Sequence, residues 1–270
     1  MSKSKNRHYV SQCISKNFVA PNGHKNFWTY DCQTRRTPVV KNIDRLFSKR
    51  RVWDDSFEKL LSSNVYENRL APILKKFATQ EMDHRVSCAD AGVLIQQFSG
   101  VVISNAEERN VVTKLLLQPV LLQAALKQSG IENEAKVLEE FYRTEMALQF
   151  NVVLMENNPR WPSVPLLLMD NMLFMFLSPA QSSATLRNVN FFFPISTHRF
   201  LLWTSSREDC EFFCRKYNNI HKLNLERIVQ QNGECEIATQ DKNYLDLLIP
   251  QIEKYPFEQQ MLIRGQREWE

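Results

Sequence analysis

Four residues near the start of the chain form a polar set in which proton transfer could take place: His8, Gln12, Lys16 and Asp31. They are interleaved with aromatic residues in RHYVSQCISKNFVAPNGHKNFWTYD, residues 7–31. A neutral imidazole is fitted to general-base work near pH 7, and an aspartate can orient its second nitrogen. That chemistry requires the two side chains within hydrogen-bond reach, which a hairpin would supply. The competing reading is that His8 and Asp31 tie an N-terminal arm to the body of the protein.

Two glutamates interrupt apolar stripes. In a continuous helix Glu67 lies seven residues from both Leu60 and Leu74, within about 20° of each around the axis. Glu145 stands in the same relation to Leu138 and Val152. A carboxylate on an apolar face is costly unless it is paired or functional. Arg69 or Arg143 would serve as structural partners. In the functional reading Glu67 and Asp170 hold a hard cation such as Mg²⁺. Asp170-Asn171 separates two six-residue apolar runs, 164–169 and 172–177, which is the spacing of a two-residue hairpin turn. Alternatively a strand end aims this carboxylate, with Asn171 beside it, into a cleft.

The six cysteines (13, 32, 88, 210, 214 and 235) show no CxxC. Neither a zinc ribbon nor a thioredoxin motif is therefore expected. Cys210 and Cys214 are i,i+4 neighbours on a predicted helix that also carries His221, and His84 and Cys88 repeat that spacing. Buried thiols explain these better than a metal site. GxSxG, HExxH and GxxxxGK[ST] are all missing, so serine-hydrolase, zincin and P-loop chemistry have no support.

Charge is unevenly distributed. Residues 1–52 contain twelve Lys or Arg against Asp31 and Asp44, a local charge of +10, while the other 218 residues carry 22 basic and 28 acidic side chains, or −6. Arg7, Lys16, Arg35, Arg36, Lys49, Arg50 and Arg51 alternate with Tyr9, Phe27, Trp28, Tyr30 and Trp53. Phosphate contacts combined with stacking platforms are what a single-stranded nucleic acid needs. A solvated basic face is the plainer alternative.

The elements that must position these groups point to an α+β fold, with an N-terminal arm or hairpin, a helical middle and a mostly antiparallel C-terminal sheet with one or two helices. Helices are predicted after Asp54 or Asp55 through 65, over 90–102 and over 132–155, with interruptions at Pro72 and Pro119. Strands are predicted at 27–30, 164–169, 172–177, 191–195, 199–203 and 234–238. Helices follow at 207–230, capped by Ser205 or Ser206, and at 244–252. The Asn- and Pro-rich stretch 157–162 marks a subdomain boundary, giving a basic arm plus helical part over 1–160 and an α+β part over 161–270. No leader peptide is evident and no apolar run is long enough for a membrane span, so the expected setting is cytoplasmic, without a membrane partner.

Several landmarks, in order, resemble one bacterial domain family of unknown function, the DUF4238-like family. They are His8-Tyr-Val-Ser-Gln12, Phe18, Trp28-Thr-Tyr-Asp31, Lys41-Asn-Ile43, Glu67-Asn-Arg-Leu70, Trp161, the run 167–172, Phe193-Pro-Ile-Ser196 and Asn218. Ser11 stands where that family usually has Pro, and Met169 and Met172 replace Ser and Pro around Asp170-Asn171, so the chain is similar to a divergent member. Some members look like single-gene anti-phage defence factors. The resemblance and the charge asymmetry together imply a defence or toxin-like protein that acts on nucleic acid as a metal-assisted nuclease. In that reading His8, Glu67 and Asp170 are the catalytic set and Mg²⁺ is the cofactor. The rival expectation is a non-enzymatic sensor that recognises a phage or host protein, and a third is a small-molecule or nucleotide enzyme with a buried polar pocket. Sequence does not decide the oligomeric state.

Overall fold

Three strands are apolar at consecutive positions rather than at alternate ones: β6 (Asn151–Asn157), β9 (Asn190–Pro194) and β10 (Arg199–Thr204). A strand of that composition must be covered on both faces, and these occupy the interior of a sheet. In the computed structural model, which describes residues 7–8, 12–20, 23–49, 66–82, 98–117, 150–157, 164–177 and 190–255, they form an antiparallel sheet with β5 (Phe98–Val102) and β8 (Phe174–Phe176), in the order β5-β6-β10-β9-β8. Period-two alternation sends Val152, Leu154, Phe191, Phe193, Leu201 and Trp203 to one core. Val153, Met155, Phe192, Phe200 and Leu202 enter another, under α4 (Arg207–Lys216) and the start of α5 (Ile220–Gln230).

A second antiparallel sheet has the order β3-β2-β11-β7, from β2 (Asn26–Asp31), β3 (Val39–Asn42), β7 (Leu168–Met169) and β11 (Glu236–Thr239). Phe27, Leu168 and Ala238 on one face join the first core. Tyr30, Met169 and Ile237 on the other pack beneath Ile228 of α5 and Tyr244, Leu245, Leu248 and Ile252 of α6 (Lys242–Glu253). The five-stranded and the four-stranded sheet both combine strands from before and after residue 160. The fold is α+β.

The N-terminal segment is built differently from the predicted arm. β1 (Arg7–His8) pairs with β4 (Ser48–Lys49), and α1 (Gln12–Ser15) continues as a 3-10 turn through Lys16–Phe18. α1 packs against α2 (Tyr66–Thr79), with Ile14, Phe18, Leu70, Leu74 and Phe77 in the shared core. Residues 12–18 are helical and do not pair with β2, whose neighbours are β3 and β11, while the rest of the predicted 9–18 segment lies outside the described residues. Pro72 is carried inside α2 instead of ending it.

Other expectations are also corrected. Residues 98–102 are strand, not the end of a 90–102 helix: Gly100 sits opposite Met155, and a Cβ there would collide with the Met155 sulfur. Residues 151–155 are the central strand β6, not the end of a 132–155 helix. The two runs around Asp170-Asn171 do not form a hairpin, because β7 pairs with β11 and β8 with β9, in different sheets. The expected 207–230 helix is two helices, broken after Lys216 and restarted by Asn219, whose side chain accepts from the amides of His221 and Lys222. Cys210 and Cys214, both buried, therefore do not share a helix with His221. Among the described residues no helix is long and apolar enough to cross a membrane. The predicted helix at 54–65, Glu145, His84, Cys88, Pro119, Trp161, Arg50 and Arg51 lie outside the described residues.

Candidate functional site

Of the residues singled out by type and spacing, the fold brings Asp31 and Asp170 to the same end of the four-stranded sheet. Asp31 is the cross-strand partner of Glu236, and the Asp170 amide donates to the Glu236 carbonyl at 3.1 Å, so both flank one residue of β11. Glu236 is neutralised by Lys41, its ion-pair partner. Both aspartates serve their own turns. Asp31 Oδ1 accepts from the amides of Gln33 and Thr34, each at 3.0 Å. Asp170 Oδ1 accepts from the Asn171 amide at 2.9 Å, and Asn171 Oδ1 accepts from Leu173 at 3.2 Å. The Asp170-Asn171 contacts turn the chain from β7 in one sheet toward β8 in the other, whereas the Asp31 turn leads from β2 back to β3 in the same sheet.

His8 pairs in register with Ser48, and Arg7 with Lys49. Gln12 opens α1 and Glu67 is the second residue of α2, the helix against which α1 packs. Lys16 and Arg36 are exposed. Arg35 has structural work: its Nη1 donates to the carbonyl of Glu253 and its Nη2 to that of Tyr255, at 3.2 and 3.4 Å, where a cation complements the C-terminal end of α6. Among the described residues no three His, Cys, Asp or Glu side chains are grouped to hold a metal ion.

Two polar clusters were not anticipated. At one end of the five-stranded sheet Arg199 is buried against Glu156, and its Nη1 donates to the carbonyl of Phe77 at 2.8 Å, locking α2 to the sheet. His198, exposed at the β9–β10 turn, places Nε2 3.8 Å from Glu156 Oε1, while its Nδ1 lies 3.2 Å from the Thr197 hydroxyl. Although 46% of its side-chain surface is exposed, partial burial of the ring holds the His198 pKa below its ordinary value of 6.5, and Arg199 adds to this. Glu156 pulls the other way without overcoming it. The result is an imidazole kept neutral beside a carboxylate, the pairing that general-base chemistry uses.

The second cluster runs along the inward face of α5. Asn224 Oδ1 accepts from the Leu167 amide and from Arg227 Nη1, and Asn224 Nδ2 donates to the Pro165 carbonyl and to the Tyr244 hydroxyl. Beyond Tyr244 lie His221 Nδ1 at 3.3 Å and, across the ring, Gln251 Oε1 at 2.9 Å from Nε2. A tautomer with Nε2–H satisfies both contacts, Tyr244 donating to Nδ1. Arg227, 1% exposed, also donates to the Leu167 carbonyl at 3.0 Å, and its Cζ sits 5.4 Å from the centre of the Phe192 ring. Side chains of α5 thereby take the place of a further strand beside residues 165–167.

The missed residues did leave a trace. Ile220, Leu223, Asn224, Arg227 and Ile228 follow helical spacing, and two of these five inward positions are polar. A polar residue within an apolar stripe is the same signal that drew attention to Glu67 and Glu145. No family model, no curated protein and no solved structure matches this chain.

Proposed function

We propose that the protein acts on nucleic acid, its basic N-terminal segment meeting the phosphates. The observation that carries this reading is the pairing of Arg7 with Lys49 on β1 and β4. Two basic residue types at one register position concentrate positive charge where a phosphate could be met. His8 adjoins that pair in the same ladder, which suits a base working next to a held phosphate. The chemistry proposed is metal-assisted hydrolysis. Glu67 and Asp170 would hold Mg²⁺, a cation for which carboxylate oxygens are the fitting donors. The order of landmarks from His8 to Asn218 supports placing the chain near the DUF4238-like bacterial family and in an anti-phage or toxin-like role.

Gel-shift titration at graded salt tests the binding. Wild type should bind single-stranded RNA or DNA at low salt, and Arg7→Gln and Lys49→Gln should each lower the slope of log affinity against log salt by about 0.7. Absence of binding at low salt, together with no degradation of either polymer in Mg²⁺ or Mn²⁺, overturns the reading.

A second reading, a non-enzymatic sensor of a phage or host protein, is favoured by the outer strand β3, where the adjacent Val39 and Val40 are 52% and 51% exposed. By contrast, the outer strand β8 has the amide and carbonyl of Met175 taken up by the Gln230 side chain. An open strand edge is a surface on which another chain can add. Val40→Lys abolishing protection against phage while His8→Ala leaves it intact would establish the sensor over the nuclease.

A further inference from the structure

Among the described residues the buried guanidinium of Arg227 is held by one nitrogen only. Nη1 is fixed by the Leu167 carbonyl and Asn224 Oδ1, while Nε and Nη2 are buried and find no hydrogen-bond partner among these residues. Those two nitrogens form one edge of the planar group, with parallel N–H bonds directed the same way. That fork matches the two oxygens of a carboxylate or phosphate.

Nor is the charge compensated from within. No carboxylate among the described residues forms an ion pair with Arg227. Its ionisable neighbours are Cys235 and Tyr244. The Cys235 thiol is pushed up by its hydrogen bond with Cys32 and by burial, and Tyr244 is raised to about 12 by burial, so both are neutral at pH 7. Burial lowers Arg227 itself only to about 9, which leaves it a cation. Arg199 shows the alternative arrangement, with Nε and Nη2 both directed at Glu156. A buried charge lacking a counter-charge is strongly destabilising. A water molecule would satisfy the donors but not the charge.

We propose that the Nε/Nη2 edge of Arg227, whose guanidinium lies beside the Phe192 ring, is a binding site for the carboxylate or phosphate group of a small ligand. The chain Asn224–Tyr244–His221–Gln251 fixes the far side of the guanidinium, so the free edge is oriented before the anion arrives. This site is separate from the basic N-terminal segment and does not depend on nucleic-acid binding.

The test uses the full chain labelled with ¹⁵N-arginine, dialysed into chloride and titrated at constant ionic strength with formate or, separately, with inorganic phosphate. One Nε–H resonance, identified by its loss in Arg227→Lys, should move downfield and saturate, and Tm should rise by several degrees relative to chloride. Saturation by formate alone assigns a carboxylate ligand, and by phosphate alone a phosphate ligand. A resonance and a Tm that respond to neither overturn the site and leave the edge to water. Should Arg227→Lys fail to fold, Asn224→Asp supplies the missing negative charge at Nη1 and should abolish the anion-dependent rise in Tm. If that rise persists in Asn224→Asp, the anion binds elsewhere and the site is overturned.

Discussion

Arg199 directs both Nε and Nη2 at one oxygen of Glu156, each at 3.1 Å, and the second oxygen of that carboxylate, Oε2, is buried without a partner among the described residues. The pair spans β10 and β6 in register, and the remaining nitrogen, Nη1, reaches the carbonyl of Phe77 in α2. One side chain thus joins two strands and a helix.

Removing either partner strands the other charge in the interior. Arg199→Ala should destabilise the fold by about 3–5 kcal/mol, whereas the apolar double replacement Glu156→Met with Arg199→Leu should cost far less. Urea unfolding of the three proteins decides the matter. Equal losses for the single and double variants would mean that the pair acts through packing alone.

The depressed pKa of His198 carries a definite sign. Its native pKa lies below 6.5, so the unfolded chain takes up the proton first as the pH falls. The contribution of His198 to stability is complete above pH 6.5 and is lost on acidification through the lower native value. Glu156 and Arg199 face the imidazole, and the turn itself adds Thr197. The urea midpoint of wild type should therefore fall more steeply below pH 6.5 than that of His198→Gln. Parallel curves for the two proteins would show that the imidazole is not held neutral.

Gly100 is required by the strand opposite it. An added Cβ would meet the Met155 sulfur and come within 3.2 Å of Val153 Cγ1, both inside a filled core. Gly100→Ala should cost about 1–3 kcal/mol through overpacking. Shortening the obstacle in Gly100→Ala/Met155→Val should recover part of that loss in thermal unfolding. A neutral single variant would place the Met155 side chain elsewhere.

The proposed nuclease set can be tested without disturbing its scaffold. Asp170→Asn keeps a side-chain oxygen for the Asn171 amide and removes only the negative charge. His8→Ala should slow cleavage by about 10²–10⁴-fold, the usual range for losing a proton-transfer group, and Asp170→Asn and Glu67→Gln should each slow it by weakening the hold on Mg²⁺. Full activity in all three variants would exclude these residues from the reaction.

Local physics in the sequence was enough for the α+β class, the strands at 26–31, 190–194 and 199–204, the Ser206 cap of α4 and the helix over 242–253. Each of these rests on interactions between near neighbours, namely a cap, a turn or a dense run of β-branched and aromatic residues. Tertiary structure decided the rest. Val101-Val102 and Val152–Met155 are consecutive apolar positions that show neither a helical nor a strand period, so cross-strand pairing settled these segments. The same holds for 164–177, where local spacing favours a hairpin but two separate sheets offer better partners. The site residues follow this division. Asp31 and Asp170 could be picked out by type, yet only the register of β11 brought them to one end of a sheet. Arg199 became the partner of Glu156, and Arg227 a buried cation without one, only once helices and sheets closed over them, because burial and charge compensation are properties of the packed chain.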